Sequence, residues 1–301
     1  MISDWLVSIE GTETGKNLAL WLALLAAVLH AAFGALQKGK HDPWMSRGAI
    51  DISYGLMAAP FALFVVPWPE PHMWPIFIGV FIIHCLYKWA VLASFRRGAY
   101  TVVYPVMRGT GPLFAVIGAG LVFGESFSPV QWMGVAVLLA GLYGLAAYNM
   151  VHVTVDRDTL VSALVFAVIT GLFVAAYTTF DAYGIRATAD PFTFLAWFFF
   201  IDGVLFPIIA ARFYVRLEDK PPLAPLAARG VFGGLVAFAS FGSIMLATRL
   251  DQVGEAAVLR ETSTVFAALI GWLFLKEAVG PRRLGLMGLI AAGAVIVEMG
   301  G

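Results

Sequence analysis

The chain has 301 residues, 60% of them hydrophobic and 13% charged, with 19 basic against 19 acidic side chains and no net charge. Soluble domains carry about 25% charged residues, so most of this surface is built to face something other than water, and there is no basic field to attract nucleic acid. The single cysteine, Cys85, excludes an intrachain disulfide.

Residues 1–16 form an N-terminal tail. It holds Asp4, Glu10 and Glu13 and has no basic leader ahead of an apolar core, so it does not read as a secretory signal. Ile2, Trp5, Leu6 and Ile9 either form a short interfacial helix or leave the tail disordered. A spanning helix needs about 20 mostly apolar residues. Ten segments qualify: 17–37, 47–66, 74–95, 100–123, 128–148, 160–183, 191–214, 228–248, 253–275 and 281–298. Strong breakers separate them, at His41-Asp42-Pro43, Pro67 to Pro71, Arg97-Gly98, Ser128-Pro129, Asp190-Pro191, Pro221-Pro222 and Gly280-Pro281. The pattern predicts an all-α membrane protein of ten transmembrane helices, five in 17–148 and five in 160–298, joined by a linker at 149–159. The longest loop, around Arg216 to Arg229, holds no soluble domain.

The two halves repeat. Val106-Met107-Arg108 through Phe114-Ala115 to Gly124-Glu125 returns 152 residues later as Val258-Leu259-Arg260 through Phe266-Ala267 to Lys276-Glu277, and Gly141 falls on Gly293. A weaker echo at an offset of 140 puts Ala23, Leu24, Ala27, Val28, Phe33 and Ala35 on Ala163, Leu164, Ala167, Val168, Phe173 and Ala175. Five spans per half is odd, so the second half starts on the opposite face of the membrane. The prediction is two inverted five-helix repeats around a central cavity, the plan of a membrane transporter.

With the charges assigned to loops and span ends set aside, six candidates remain inside the membrane: Asp51, Lys88, Arg108, Asp202, Arg260 and Glu261. Each costs roughly 3 kcal/mol or more at the bilayer centre and requires a partner or a water-filled cavity. Lys88 and Arg108 are each seven or eight residues from the same face, so both lie about 10–12 Å below it. Asp51 and His30 enter that layer from two further spans, and Arg260 lies equally deep from the other face. One reading is that these charges pair and only hold the bundle together. The other gives Arg108 and Arg260, which the repeat relates, a substrate carboxylate or phosphate that suits the flat guanidinium fork. Lys88 then adds a point charge, and Glu261 or Asp202 serves an ammonium or a coupling proton. Glu261 directly follows Arg260, so the two point about 100° apart on the helix and cannot face each other.

His30 and His84 are each either a proton site or a neutral, hydrogen-bonded core residue. Histidines 41, 72 and 152 fall in loops without metal-ligand spacing. Trp89, Tyr104, Tyr177, Phe180, Trp197 and Phe198 to Phe200 either line a cavity or face lipid and neighbouring helices, while Trp68, Trp74 and Trp132 suit the interfacial belt. Gly109-Thr110-Gly111-Pro112 lacks the Lys-Ser/Thr of a phosphate loop and predicts a loosened helix beside Arg108. Gly120 with Gly124, and Gly230 with Gly234, suit close helix packing. No Ser-His-Asp set, Cys-His pair or paired catalytic carboxylates are present, which disfavours an enzyme, and no cofactor is expected.

The loops after the odd-numbered spans hold thirteen basic residues, Lys38, Lys40, Arg47, Arg96, Arg97, Arg157, Arg212, Arg216, Lys220, Arg229, Lys276, Arg282 and Arg283, against Lys16, Arg186 and Arg249 opposite. That bias places the thirteen in the cytoplasm and both termini outside.

Two further features carry a resemblance. One is a small-residue helix ending in an acidic turn before another span, Leu121-Val122-Phe123-Gly124-Glu125-Ser126 and again Leu273-Phe274-Leu275-Lys276-Glu277-Ala278, where Lys276 departs from the usual Gly. The other is the first span, Ala26 to Lys38, with His30 and a lysine eight residues later, and with Phe33-Gly34 where Trp-Asn is common. From about 17 to 298 the chain resembles the ten-span EamA-type branch of the drug/metabolite transporter superfamily. The resemblance implies a basket of ten helices, alternating access, and secondary transport, often export of amino acids, metabolites or toxic compounds. It also implies both termini in the cytoplasm, against the count of loop charges. The resulting expectation is an inner-membrane exporter of a small zwitterion or organic anion, a monomer or homodimer in lipid, with protons as a possible coupling ion. The alternatives are an exporter of cationic or aromatic drugs and a non-transporting scaffold or sensor.

Overall fold

The computed structural model describes residues 2–37, 42–98, 100–152, 157–218, 220–275 and 280–301. Lys38, Lys40, His41, the middle of the expected linker, and Lys276-Glu277-Ala278 of the second acidic turn lie outside the described residues.

The described residues form thirteen helices: α1 (Ile2–Ser8), α2 (Glu13–Gln37), α3 (Pro43–Phe64), α4 (Met73–Arg97), α5 (Tyr100–Phe123), α6 (Pro129–His152), α7 (Arg157–Ala187), α8 (Pro191–Asp202), α9 (Leu205–Arg216), α10 (Leu223–Leu250), α11 (Val253–Arg260), α12 (Ser263–Leu275) and α13 (Pro281–Met299). Local chemistry sets their starts. Asp42 accepts from the Trp44 and Met45 amides at 2.9 and 3.2 Å, and Asp190 accepts from the Phe192 amide at 2.9 Å. Each is followed by a proline, which tolerates the first helical turn because its missing N–H has no partner there. Among the described residues, seven segments are long and apolar enough to cross a membrane: those from Glu13, Met73, Val102, Pro129, Thr159, Pro191 and Leu223.

Two expected single spans are split. The segment 191–214 breaks at Gly203-Val204 between α8 and α9, where Pro207 has no N–H to offer the Gly203 carbonyl. The segment 253–275 breaks at Glu261-Thr262 between α11 and α12. There the chain tightens into short-range bonds, Glu261 N–H to Val258 O at 2.9 Å and Thr262 N–H to Leu259 O at 3.1 Å. The Thr262 hydroxyl adds a bond to Leu259 O at 2.7 Å, in the competition with the ladder that Ser and Thr side chains bring. The loosening expected at Gly109-Thr110-Gly111-Pro112 is therefore corrected. α5 runs through it unbroken, and the repeat-related helix carries the break instead.

Packing repeats as the sequence does. α4 and α5 lie along α7, while α10 and α11–α12 lie along α2, which is the same arrangement with the halves exchanged. α6 and α13 pack on each other. Gly141 and Gly293, matched in the repeat, both sit in that contact. A Cβ on Gly293 would stand 2.5 Å from Leu138 N, and one on Gly141 2.8 Å from Leu286 O. Gly230 and Gly234 likewise admit α3, at Ala49 and Ser53. Gly124 does not pack a helix. It takes φ +70° and turns the chain out of α5, a conformation that costs a glycine least.

The end of the bundle that holds both termini is cross-linked by polar bonds. Arg249 donates to Ile185 O and Thr188 O at 2.5 and 2.6 Å and pairs with Glu10. Arg186 donates to Thr248 O and Asp251 O at 2.8 and 2.7 Å. α1 docks there with Leu6 and Ile9 buried, Ile2 and Trp5 exposed, and Ser3 donating to Asp190 at 2.7 Å. The tail is thus a helix with an apolar inner face rather than a disordered arm, and α2 already begins at Glu13 within it.

Candidate functional site

Eight residues were expected at the site: Arg108, Arg260, Lys88, Glu261, Asp202, His30, Asp51 and Tyr104. The structure gathers most of them into two groups.

The first group joins α3, α4 and α8. Lys88 Nζ donates to Asp51 Oδ2 at 2.7 Å and to both Asp202 oxygens at 2.9 and 2.8 Å. The Tyr54 hydroxyl lies 3.2 Å from Lys88 Nζ and donates to Asp202 Oδ2 at 2.5 Å. Arg47 pairs with Asp51 at 2.7 Å from one turn earlier on α3. Two cations and two carboxylates cancel, and Asp51, Lys88 and Asp202 are all buried. A buried set of this kind stays charged only because each member is paired.

The second group forms at the α11–α12 break. Arg108 Nε lies 2.7 Å from Glu261 Oε2, and Arg108 Nη2 donates to Ser263 Oγ at 2.7 Å and Arg260 O at 3.2 Å. The guanidinium carbon sits 5.8 Å from the Tyr104 ring centre. Arg260 reaches the other way, to Thr178 Oγ1 at 3.4 Å and the Tyr177 ring at 5.7 Å. Glu261 caps α11 with helical backbone angles, φ −69° and ψ −18°, where the bonds tighten to the third residue back, and its carboxylate meets the arginine of the other repeat.

Arg260 Nε, Glu261 Oε1 and Thr264 Oγ1 are buried and have no hydrogen-bond partner among the described residues. Leaving such a group unmatched costs about 1–3 kcal/mol, and buried polar atoms are otherwise nearly always bonded. One guanidinium donor, one carboxylate acceptor and one hydroxyl within five residues of chain are thus left unmatched among the described residues. The half-helix ends are where transporters with broken helices hold their cargo.

His30 is half-buried on α2, tilted against Phe33 with ring centres 6.4 Å apart. An aromatic wall links the two groups: Tyr177 packs on Tyr87 at 4.9 Å and on His84 at 4.8 Å. Trp197, Phe198 and Phe199 are buried, whereas Trp89 is exposed beside Phe166. Trp68, Trp74 and Trp132 are exposed, as belt residues are. A shallow, water-sized cleft near the termini is lined by Lys16, Asp251, Gln252, Glu255, Glu298 and Leu259, the residue before Arg260.

Sequence reasoning missed two members of the first group, Arg47 and Tyr54, and, outside both groups, the carboxylate Asp181 beside His84. Arg47 was assigned to a loop, but α3 starts at Pro43 and carries it a turn inside. Asp181 falls two residues before the end of the expected span 160–183 and lies deeper because α7 runs to Ala187; its Oδ2 lies 2.8 Å from His84 Nε2. Tyr54 gave no signal beyond falling one turn from Asp51.

The model of the EamA-like transporter family matches residues 17–147 and 161–299, one copy on each half of the chain. No curated protein matches. A solved structure titled only as the crystal structure of a protein superposes with a TM-score of 0.72 at 18% identity, over 96% of this chain and 98% of that chain, a likeness of fold alone. The helices long enough to cross a bilayer and the two family copies make this a multi-pass membrane protein of a family of transporters rather than of enzymes. The chain belongs to the EamA-like transporter family.

Proposed function

We propose that the protein is a secondary active transporter that exports a small polar metabolite, an amino-acid-like zwitterion or an organic anion, across the inner membrane. Alternating access moves two inverted five-helix repeats, ten spans in all with α8–α9 and α11–α12 as broken helices, around a central cavity. The observation that carries the reading is the set of unmatched buried atoms Arg260 Nε, Glu261 Oε1 and Thr264 Oγ1 beside a helix break. Arg260 takes the carboxylate. Glu261, whose second oxygen is held by Arg108, takes an ammonium, and Thr264 adds a hydroxyl bond. Two arginines against one carboxylate favour a net negative or zwitterionic cargo over a bare cation. Lys88, Asp51 and Asp202 satisfy one another, so their part is to tie α4 to α3 and α8 as the halves move. Tyr104 and His30 line the path. Export rests on the family resemblance, and one chain with both repeats suffices as a monomer.

A second reading, export of cationic aromatic compounds, draws on the wall of Tyr87, Tyr177 and Phe198 and on Arg108 being engaged by Glu261. Vesicles containing the purified chain, preloaded with unlabelled compound, separate the two by counterflow. Accumulation of labelled alanine or succinate, lost in Arg260→Ala, supports the first. Accumulation of a labelled aromatic cation, untouched by Arg260→Ala, supports the second and ends the first.

A further inference from the structure

His84 and Asp181 belong to neither charge group. His84 sits near the middle of α4 and Asp181 on α7, both buried, with Nε2 2.8 Å from Oδ2. Asp181 Oδ1 has no hydrogen-bond partner among the described residues. A purely structural carboxylate in an apolar bundle would be expected to use both oxygens. The surroundings are rings and few charges. On α4, Tyr87 lies 6.5 Å from the His84 ring, and Lys88, one turn on, is held by Asp51 and Asp202. On α7, Tyr177 lies 4.8 Å away; α8 supplies Phe198 at 5.0 Å and α10 supplies Phe241 at 6.3 Å. Two charges face the pair from other elements: Arg260 of α11, which lies against the Tyr177 ring and Thr178 and attracts the Asp181 carboxylate, and Asp202 at the end of α8, whose field reaches both His84 and Asp181.

We propose that His84 and Asp181 form the proton-loading site of the transporter, separate from the substrate site and joined to it by Tyr177. This rests on the transport reading above. The loaded pair is neutral overall, with one proton on Nδ1 and one shared between Nε2 and Oδ2. On unloading, Nδ1–H passes its proton to water, the remaining proton stays on Nε2, and the pair becomes a single negative charge. Burying that charge among Tyr177, Phe198 and Phe241 is costly, so the dry arrangement holds the proton and release waits until water reaches His84. The Tyr177 ring packs on His84 and lies against Arg260, so a cargo carboxylate on Arg260 and a proton on His84 act on the same side chain. The pairing ties α4 of the first repeat to α7 of the second, where alternating access has to move one against the other.

The test titrates the purified full-length protein with protons alone. Ring nitrogens are read by magnetic resonance of nitrogen-labelled histidine, and carboxyl groups by infrared difference, over the range in which histidines titrate. The proposal expects one histidine and one buried carboxyl to change together at a common midpoint. His84→Gln removes the ring signal, Asp181→Asn removes the carboxyl band and shifts the ring midpoint, and Asp181→Glu moves the band without removing it. No joint change in the wild type overturns the proposal, and that result needs no variant to fold. In the counterflow vesicles, Asp181→Asn should keep exchange of labelled alanine or succinate but lose accumulation driven by a pH gradient. Gradient-driven accumulation that survives in Asp181→Asn overturns the proton site and leaves the transport reading standing. Absence of any counterflow in the wild type overturns the transport reading, while the titration still decides whether the pair binds a proton.

Discussion

The carboxylate of Glu125 accepts the Val253 amide at 2.8 Å, so the end of α5 clips the start of the helix that the repeat pairs with it. The second oxygen accepts the Gly254 amide at 3.0 Å, and Arg186 stands 3.6 Å from the first. The acidic turn legible in the sequence is thus a helix cap supplied from the other half of the molecule. It uses the positive end of α11, where anions are favoured.

Glu125→Ala removes both amide bonds. Loss of a capping side chain costs about 0.5–2 kcal/mol. Hydrogen exchange at Val253 and Gly254 should quicken while exchange in the middle of α5 stays unchanged. Equal protection of both amides in the variant would mean that the cap carries nothing.

Lys88→Met leaves Asp51 and Asp202 buried with one cation fewer. Breaking a buried pair from one side costs about 3–5 kcal/mol, so the variant should melt well below the wild type. Adding Asp202→Asn restores neutrality and should recover part of the loss. A double variant no better than the single one would show that the cluster is not held by charge balance.

Gly293→Ala drives a methyl into backbone atoms of α6 at 2.5 and 2.6 Å, which cannot turn aside as a flexible side chain can. Overpacking of this kind costs about 1–3 kcal/mol. Gly288→Ala on the same helix meets nothing within 4 Å and should leave stability unchanged or slightly raised. Thermal denaturation of the pair in detergent checks the sign of each.

Arg186 and Arg249 bear on orientation. Both are spent on carbonyls and carboxylates inside the bundle, so of the three cations on the side of the termini they offer little to the cytoplasmic leaflet. The bias toward the other face is then steeper than thirteen to three, and a tag after Gly301 should react with an impermeant reagent from the non-cytoplasmic side of the membrane. Reaction only after lysis would place the termini in the cytoplasm, as the family resemblance implies.

Much of this was readable before the structure. The expected segment 100–123 coincides with α5, and 74–95 and 281–298 end within two residues of α4 and α13, because Gly, Pro and charge mark the ends of apolar runs sharply. The breaks inside 191–214 and 253–275 were not readable. Both lie in runs whose hydropathy does not change, and a missing proline N–H or a threonine back-bond leaves no trace in composition. The pairing of charges was hidden for another reason. Arg108 is 153 residues from Glu261, and only the packing of α5 on α11 chooses that partner over Arg260's own neighbours. A boundary error of four residues sufficed to hide Arg47 and Asp181, since each sits within a turn of where its span was drawn.

The most direct measurement is the thermal shift of the purified protein against a panel of zwitterions, organic anions and aromatic cations, with Arg260→Ala alongside. A ligand at 100 times its dissociation constant adds about 2.7 kcal/mol of stability. The account predicts that a zwitterion or anion stabilises the wild type and that Arg260→Ala melts normally but no longer responds. Stabilisation only by aromatic cations, unchanged in Arg260→Ala, would contradict it.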